Sequence, residues 1–556
     1  MADDGLEDIV IEGETAHSAA ASASKRRKTE AASKATGGIF KKDVWGDARL
    51  DQLRLHGPQI CTHSMLSTAY FVPVRLLTHL QIRTLLCDVL TARPKSKKFQ
   101  GHETHQPWPM WHERGEWLAI PRQFGCRVFG VPARVDTSKG LPVSLQTQRP
   151  LFTAETCVQS KGIDQEAAVS HIEHYLRSTA ARDGFASCLF CISPGFGKTC
   201  CAAHIIQRLG ARALFVVPNE HPFMLQVADE MRSFLGPSVR VGKLVTSEPR
   251  NWDVADKDIV ITTAKSIATI RYDLGSFGLV VVDEAHETAT AMYSQMYYRF
   301  NARYVLALTA TPERAADHCG GYLQWLAGPV AWHEQRDITK SRWGGVGVTI
   351  YNLTYLSHPI KEVLLKTGEP YWEGMTRQII AKPARNRFLL HDVVLPRHRA
   401  GRRILIIGTR IEHMEYIHHE LNTRFQIPTG IIVGTHTDGR KVTAQDRIDA
   451  QKKPILVASV SIVSKALNIP ELDTLLVLSG GCYVNDTFWT QCVGRITREH
   501  PTKKDPELIL IRDRYTVKGD TDGDGVFAAC VDAACMTLRK RSPKGYKFDT
   551  IEVEIE

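Results

Sequence analysis

At 556 residues, with 43% hydrophobic and 23% charged positions, the chain has the composition of a soluble globular protein divided into about three or four folded units. No apolar run approaches the roughly 18 to 20 residues that cross a bilayer, and the acidic start MADDGLEDIVIEGE is unlike a basic signal peptide, so an intracellular protein without a membrane partner is expected. Thirteen cysteines without a regular framework fit a reducing compartment and argue against a disulfide scaffold, while the formal charge of +10 suits a polyanionic partner.

In chain order, residues 1–45 are rich in Ala, Ser, Lys and Glu, lack apolar periodicity and are expected to form a disordered tail. Their tract KRRK, Lys25 to Lys28, reads as a nuclear-import signal, as a nucleic-acid arm or as a solubilising charge run. It favours the nucleus, the host nucleus for a viral protein, with cytoplasm and virion as alternatives. Residues 46–150 form an accessory region with mixed apolar segments such as YFVPVRLLTHLQIRTLLCDVL and turn-rich, strand-like pieces such as CRVFGVPARV. Over 151–345 short apolar runs (CLFCI, RALFVVP, DIVITT, LVVVDE, YVLALTAT) alternate with helical stretches. Unbroken runs of this kind predict strands covered on both faces, hence a parallel sheet in an α/β domain. Residues 346–394 read as a connector. A second series over 395–515 (RRILIIGT, TGIIVGT, PILVASVS, TLLVLSG, ELILIRD) predicts a second α/β domain, and 516–556 reads as a C-terminal tail.

Between the first of these runs and a helical stretch lies Ser193-Pro194-Gly195-Phe196-Gly197-Lys198-Thr199. The two glycines allow a tight turn that aims amide hydrogens at one point, and the helix adds its positive end. Lys198 would neutralise β- and γ-phosphates, and Thr199 would offer a hydroxyl to Mg2+. The full pattern G-x-x-x-x-G-K-[ST] is not met, because Ile192 stands at its first glycine. The run LVVVDEAHE ends in Asp283 and Glu284, a carboxylate pair at the end of a parallel strand, where open α/β sheets bind ligands. Asp283 would reach the Mg2+ and Glu284 would orient and deprotonate the attacking water.

The ordered series SPGFGKT, VVDEAHE, LTATPER and QCVGRITRE, over about 151–515, resembles the motifs of superfamily 2 helicases and translocases. DEAH followed by LTATPER is similar to the branch that holds repair and transcription helicases, restriction-enzyme motors and helicases of large DNA viruses, including the poxvirus transcript-release helicase. The resemblance implies two tandem RecA-like domains that clamp ATP between them and nucleic acid across their tops. It implies Lys198, Thr199, Asp283 and Glu284 in the ATP site, with His286, Thr309, Thr311 and Gln491 coupling that site to domain closure. Arg495 and Arg498, spaced i, i+3 in QCVGRITRE beside Gly494, would stabilise charge on the transferring phosphoryl. Gln165 matches the adenine-reading glutamine, with a surface helix position as the equal alternative. Asn219, Gln226, Thr262, Thr409 and Arg410 would meet the nucleic-acid backbone, with ordinary turn chemistry as the alternative for the first three. SKALNIPELD departs from the family pattern at Ala466 and Asn468, where Gly and Asp are usual.

Two further signals are discounted. Cys188 and Cys191 have metal spacing but no complementary pair, and read as buried thiols. Asp520, Asp522, Asp524 and Gly525 have calcium-loop spacing, but Val531 stands where a bidentate Glu is required. The resulting expectation is a monomeric, ATP- and Mg2+-dependent motor acting on nucleic acid, DNA ahead of RNA, in transcription, replication or repair. The alternatives are a remodeller or transcript-release factor without strand separation, and a non-enzymatic nucleic-acid-binding scaffold.

Overall fold

The computed structural model describes residues 43–94, 106–153, 155, 164–218, 221–247, 252–313, 319–334, 338–341, 343–356, 360, 361, 363–366, 371–460, 469–478, 486–498, 500–514 and 525–556. Two seven-stranded sheets organise them, and within each sheet every strand pair is parallel. The first is built from β1 (Ala186–Ile192), β2 (Ala213–Val217), β3 (Val241–Leu244), β4 (Ile259–Thr263), β5 (Leu279–Val282), β6 (Tyr304–Thr309) and β7 (Val330–Glu334). The second contains β8 (Val346–Tyr355), β9 (Ile404–Gly408), β10 (Thr429–Ile432), β11 (Ile455–Ser459), β12 (Thr474–Val477), β13 (Glu507–Arg514) and β14 (Tyr546–Ile555). Their spatial orders are β3-β4-β2-β5-β6-β1-β7 and β10-β11-β9-β12-β13-β8-β14. Counted along each repeat, both read third, fourth, second, fifth, sixth, first, seventh, so the two halves are one topology used twice.

The apolar runs named above are the inner strands, and β1, β2, β4 and β5 are buried at every position. Two strands of the second sheet depart from expectation. β8 opens the stretch expected to be a connector, and β14 lies in the stretch expected to be a tail; they pair with each other over ten residues. The reason is their composition. Polar residues interrupt β8 at Thr349, Asn352 and Thr354, and β14 is an edge strand whose outward positions include Lys547, Asp549, Glu552 and Glu554. Such edges carry charge that discourages pairing with other chains.

Residues 43–135 form a mixed five-stranded sheet with short helices, and CRVFGVPARV, expected to be strand-like, instead ends the helix Arg122–Val128 before the short strand Arg134–Val135. This N-terminal module shares one continuous core with the first α/β domain. Phe124 packs edge-on to Trp325 at 4.9 Å, and Arg122, buried, donates to Ala302 O at 3.0 Å beneath the Phe185 and Phe300 rings. Residues 137–150 then run as a strap along the base of the first sheet. Ser138 N bonds Asn301 O, Leu141 N bonds Ser276 O, and Gln148 N bonds Phe234 O. At Gly140, where φ is +69°, a side-chain carbon would lie 2.1 Å from Gly278 N, so the strap passes only because both positions are glycine.

Candidate active site

Helix α1 (Gln165–Asp183) starts on Asp164, whose carboxylate accepts from Ala167 N at 2.8 Å, and stops at Gly184 in the left-handed region. Its first residue, Gln165, is buried at the phosphate loop. The Gln165 amide donates to Phe196 O at 2.5 Å and accepts from Phe152 N at 3.0 Å. Gln165 is therefore a brace for the loop backbone, and it also presents Phe152, whose side chain is half exposed. The loop follows β1, turns through Gly195 and Gly197 at φ +84° and +97°, and enters α2 (Lys198–Leu209). A side-chain carbon on Gly197 would stand 2.5 Å from Gln165 Nε2.

The loop strand β1 and the carboxylate strand β5 flank β6, so the ends of three strands converge at the carboxyl edge of the sheet. Lys198 Nζ, at the start of α2, hydrogen-bonds Glu284 Oε1 and lies 3.8 Å from Asp283 Oδ1. Burial opposes the Lys198 charge, but Glu284 and Asp283 outweigh it and raise its pKa. Burial likewise works to raise the Glu284 carboxyl, which Lys198 and His286 hold below the usual carboxylate range. Asp283 goes the other way, raised by burial. Glu284 sits at φ +44°, a left-handed conformation that costs a non-glycine residue on the order of 1 kcal/mol. Behind the pair, His286 Nδ1 lies 3.5 Å from Glu284 Oε2 and 3.1 Å from Thr309 Oγ1, and Thr309 Oγ1 accepts from Thr311 N at 3.1 Å. His286, Thr309 and Thr311 thus form a chain from β5 to β6.

Across the cleft, α5 is the helix Asp486–Ile496, with α3 (His221–Leu235) on the first domain and α4 (Ile411–Thr423) preceding it in the second. Gly494 lies against Pro194, and Arg495 is close enough to Glu284, and Arg498 to Lys198, for each cation to shift its neighbour's pKa. Burial, with Arg498 beside it, pushes the Arg495 guanidinium down to about 10, so it stays charged at neutral pH. Gln491 is half-buried on the same helix. Ser193, Pro194, Lys198, Thr199, Asp283, Glu284, Arg495 and Arg498 are therefore gathered at one cleft.

The expected nucleic-acid contacts fare differently. Thr262 is fully buried inside β4, and its neighbour Thr263 is spent capping the next helix, so neither reaches a surface where a strand could lie. Gln226 Nε2 donates to Glu230 Oε1 at 2.8 Å, and Arg410 pairs with Glu373 at 2.8 Å. Thr409 is exposed at the end of β9. Asn219, Ala466, Asn468, the KRRK tract and Asp520 to Asp524 lie outside the described residues. Cys188 and Cys191 are buried thiols, and among the described residues no group of three or more His, Cys, Asp and Glu is placed to hold a metal ion. No described helix is long and apolar enough to cross a membrane. A residue not anticipated is Glu230, whose charge reaches both Asp283 and Arg498; its i, i+4 spacing from Gln226 is the trace it leaves in the sequence.

Residues 163–314 match the family model described as type III restriction enzyme, res subunit. A protein named as an ATP-dependent RNA helicase of Acanthamoeba polyphaga mimivirus is 22% identical over 74% of this chain and 73% of its own length. One named as a helicase of Frog virus 3 is 25% identical over 57% and 68% respectively. These matches support a superfamily 2 helicase. The DNA 3'-5' translocase XPB2 of Sulfurisphaera tokodaii is 25% identical over 59% of this chain and 77% of its own length. Helicases of that superfamily use ATP, and the two parallel seven-stranded sheets match tandem RecA-like helicase domains.

Proposed function

We propose that the chain is an ATP- and Mg2+-dependent motor that moves along one strand of nucleic acid, DNA ahead of RNA, in the 3' to 5' direction. The observation that carries the proposal is the cleft itself, in which Lys198 bridges to Glu284 and Asp283 while Gly494 seats Arg495 and Arg498 opposite. The donors present fit a divalent cation. A buried carboxyl raised in pKa by desolvation, as at Asp283, is one that a cation would return to the anion, and Thr199 supplies a hydroxyl from the first turn of the adjacent helix. Mg2+ bound there supplies charge neutralisation for the phosphates.

Lys198 would leave Glu284 for the phosphates when ATP enters, which releases Oε1 to accept a proton from the attacking water. Glu284 Oε2, buried, 3.5 Å from His286 Nδ1 and without a hydrogen bond among the described residues, is available for the same role. Arg495 and Arg498 would meet the negative charge of the transferring group from the second domain. The 3' to 5' direction and the DNA preference are supported by the name of the archaeal relative, and the mimiviral relative is named for RNA. Intact Lys198, Glu284, Arg495 and Arg498 speak against a non-enzymatic scaffold.

The test is ATP hydrolysis measured with single-stranded DNA, duplex DNA and RNA, together with strand displacement on duplexes bearing 3' or 5' overhangs. Stimulation by DNA and displacement from the 3' overhang are expected. A clear 5' preference refutes the polarity, RNA-only stimulation refutes the substrate, and stimulated hydrolysis without displacement identifies a remodeller or transcript-release factor.

A further inference from the structure

The turn that carries the catalytic carboxylate is tied to the N-terminal module by two consecutive tyrosines pointing opposite ways. Ala285–Thr288 form one 3-10 turn, closed by Glu287 N donating to Glu284 O at 2.9 Å. Thr288 Oγ1 donates its only hydrogen to Ala285 O at 2.7 Å, so in its 2.9 Å contact with Tyr297 the tyrosine hydroxyl is the donor. Both side chains are buried. Tyr298, the next residue, packs instead on Phe71 and Ala119 of the N-terminal sheet, donates to Met110 O at 2.9 Å and meets the His112 ring edge-on at 4.7 Å.

We propose that Tyr297 is a positioning residue for Glu284, and that through Tyr298 the N-terminal module sets the turnover rate of the site. The inference rests on the reading of Glu284 as the base. The left-handed backbone at Glu284 persists only because the turn behind it is fixed, and the Tyr297 to Thr288 bond is what fixes the far end of that turn. This gives residues 43–135 a task beyond packing: they hold Tyr298, and so the strand of contacts that ends at the base. The hydroxyl of Tyr297 touches neither Lys198 nor the loop, so its removal acts on the chemical step and leaves nucleotide binding alone.

The experiment uses the full chain. Tyr297→Phe deletes one hydroxyl and is expected to lower kcat about tenfold at saturating ATP and single-stranded DNA, with affinity for a fluorescent ADP analogue held within about twofold. Thr288→Val removes this bond together with the Thr288 to Ala285 bond and should lower kcat at least as far, and the double variant should be no worse than Thr288→Val alone, because the Tyr297 hydroxyl acts only through Thr288. Tyr298→Phe should lower kcat by roughly threefold. Amide exchange at Glu287 should quicken in Tyr297→Phe while exchange in β1, β5 and β6 is unchanged. Full kcat in Tyr297→Phe, additive losses in the double variant, or exchange rising uniformly across the domain would overturn the proposal. If Tyr297→Phe fails to fold, Thr288→Val reads that bond together with the Thr288 to Ala285 bond of the turn. Glu284→Gln is measured alongside: wild-type turnover there removes the base and the bridge together, whereas an inactive Glu284→Gln beside a fully active Tyr297→Phe removes the bridge alone.

Discussion

Gly494 of α5 and Pro194 of the phosphate loop touch across the two α/β domains: a side-chain carbon at Gly494 would stand 2.6 Å from Pro194 Cβ. That glycine is what lets the second domain lay its arginine pair against the loop. In Gly494→Ala the added methyl must push α5 away from Pro194, so Arg495 and Arg498 lose their register on the phosphates. Turnover is expected to fall roughly tenfold or more. Nucleotide binding by the first domain should persist, as read by a fluorescent ADP analogue.

Lys198→Ala removes the charge that bridges Asp283 and Glu284 and would hold the phosphates. Loss of nucleotide binding and of hydrolysis is expected, with circular dichroism and thermal midpoint close to wild type. Wild-type turnover in a folded Lys198→Ala protein contradicts the phosphate-loop reading.

In the second domain the corresponding strand ends are filled by the chain's own ion pair. Arg385, fully buried, donates to both oxygens of Asp513 at 2.7 and 2.9 Å and to Leu478 O at 2.6 Å, and Tyr355 donates to Asp513 at 2.5 Å. Asp513→Leu leaves an uncompensated buried guanidinium and should cost about 3 to 5 kcal/mol, whereas Arg385→Met combined with Asp513→Leu should cost much less. Denaturant midpoints of the two variants check the ordering.

His413 carries a pH dependence whose sign is fixed by its burial. Desolvation, with Arg385 nearby, pushes its pKa down to about 3, below an unfolded value of about 6.5. The unfolded chain therefore binds the extra proton first. Stability contributed by neutral His413 is complete above about pH 6.5 and is lost as pH falls toward 3, by about 1.4 kcal/mol per pH unit. Urea midpoints between pH 7 and 5 should fall in the wild type, and in His413→Gln this component should vanish.

A chain beginning at residue 43 keeps every packing contact described above and should retain its thermal midpoint and ATPase. A chain beginning at residue 136 exposes the first-domain core at Trp325, Phe185 and Phe300, and it should be insoluble on expression. Soluble, active protein from the shorter chain contradicts the shared core.

Several features of fold and site are legible from local chemistry. Phosphate loops, strand-end carboxylates and the i, i+3 arginines are short, contiguous patterns, and the inner strands announce themselves as unbroken apolar runs. β8 and β14 escape because their stabilising partners lie two hundred residues apart, as where Asn352 donates to Glu552 at 2.6 Å, and no local pattern reports that pairing. Thr262 looks like a surface contact because it stands near a strand end in a stretch that resembles a strand-contacting motif, yet β4 is buried at every position. Gln165 reads from the sequence as an adenine contact or a surface helix position, and the fold adds what no local pattern reports: it is buried, with its amide engaged by Phe152 and Phe196. Tyr297 gives no signal at all in one sequence, since its role depends on a turn and a module brought to it by the fold.

Steady-state ATP hydrolysis by the wild type and by Glu284→Gln, each with and without single-stranded DNA or RNA, tests the central claim most directly. The wild type should turn over and be accelerated by nucleic acid, while Glu284→Gln should bind ATP and nucleic acid with wild-type affinity and hydrolyse roughly a hundredfold or more slowly. Equal turnover in the two proteins, or none in the folded wild type under any of these conditions, would contradict the assignment of the cleft as the motor's catalytic site.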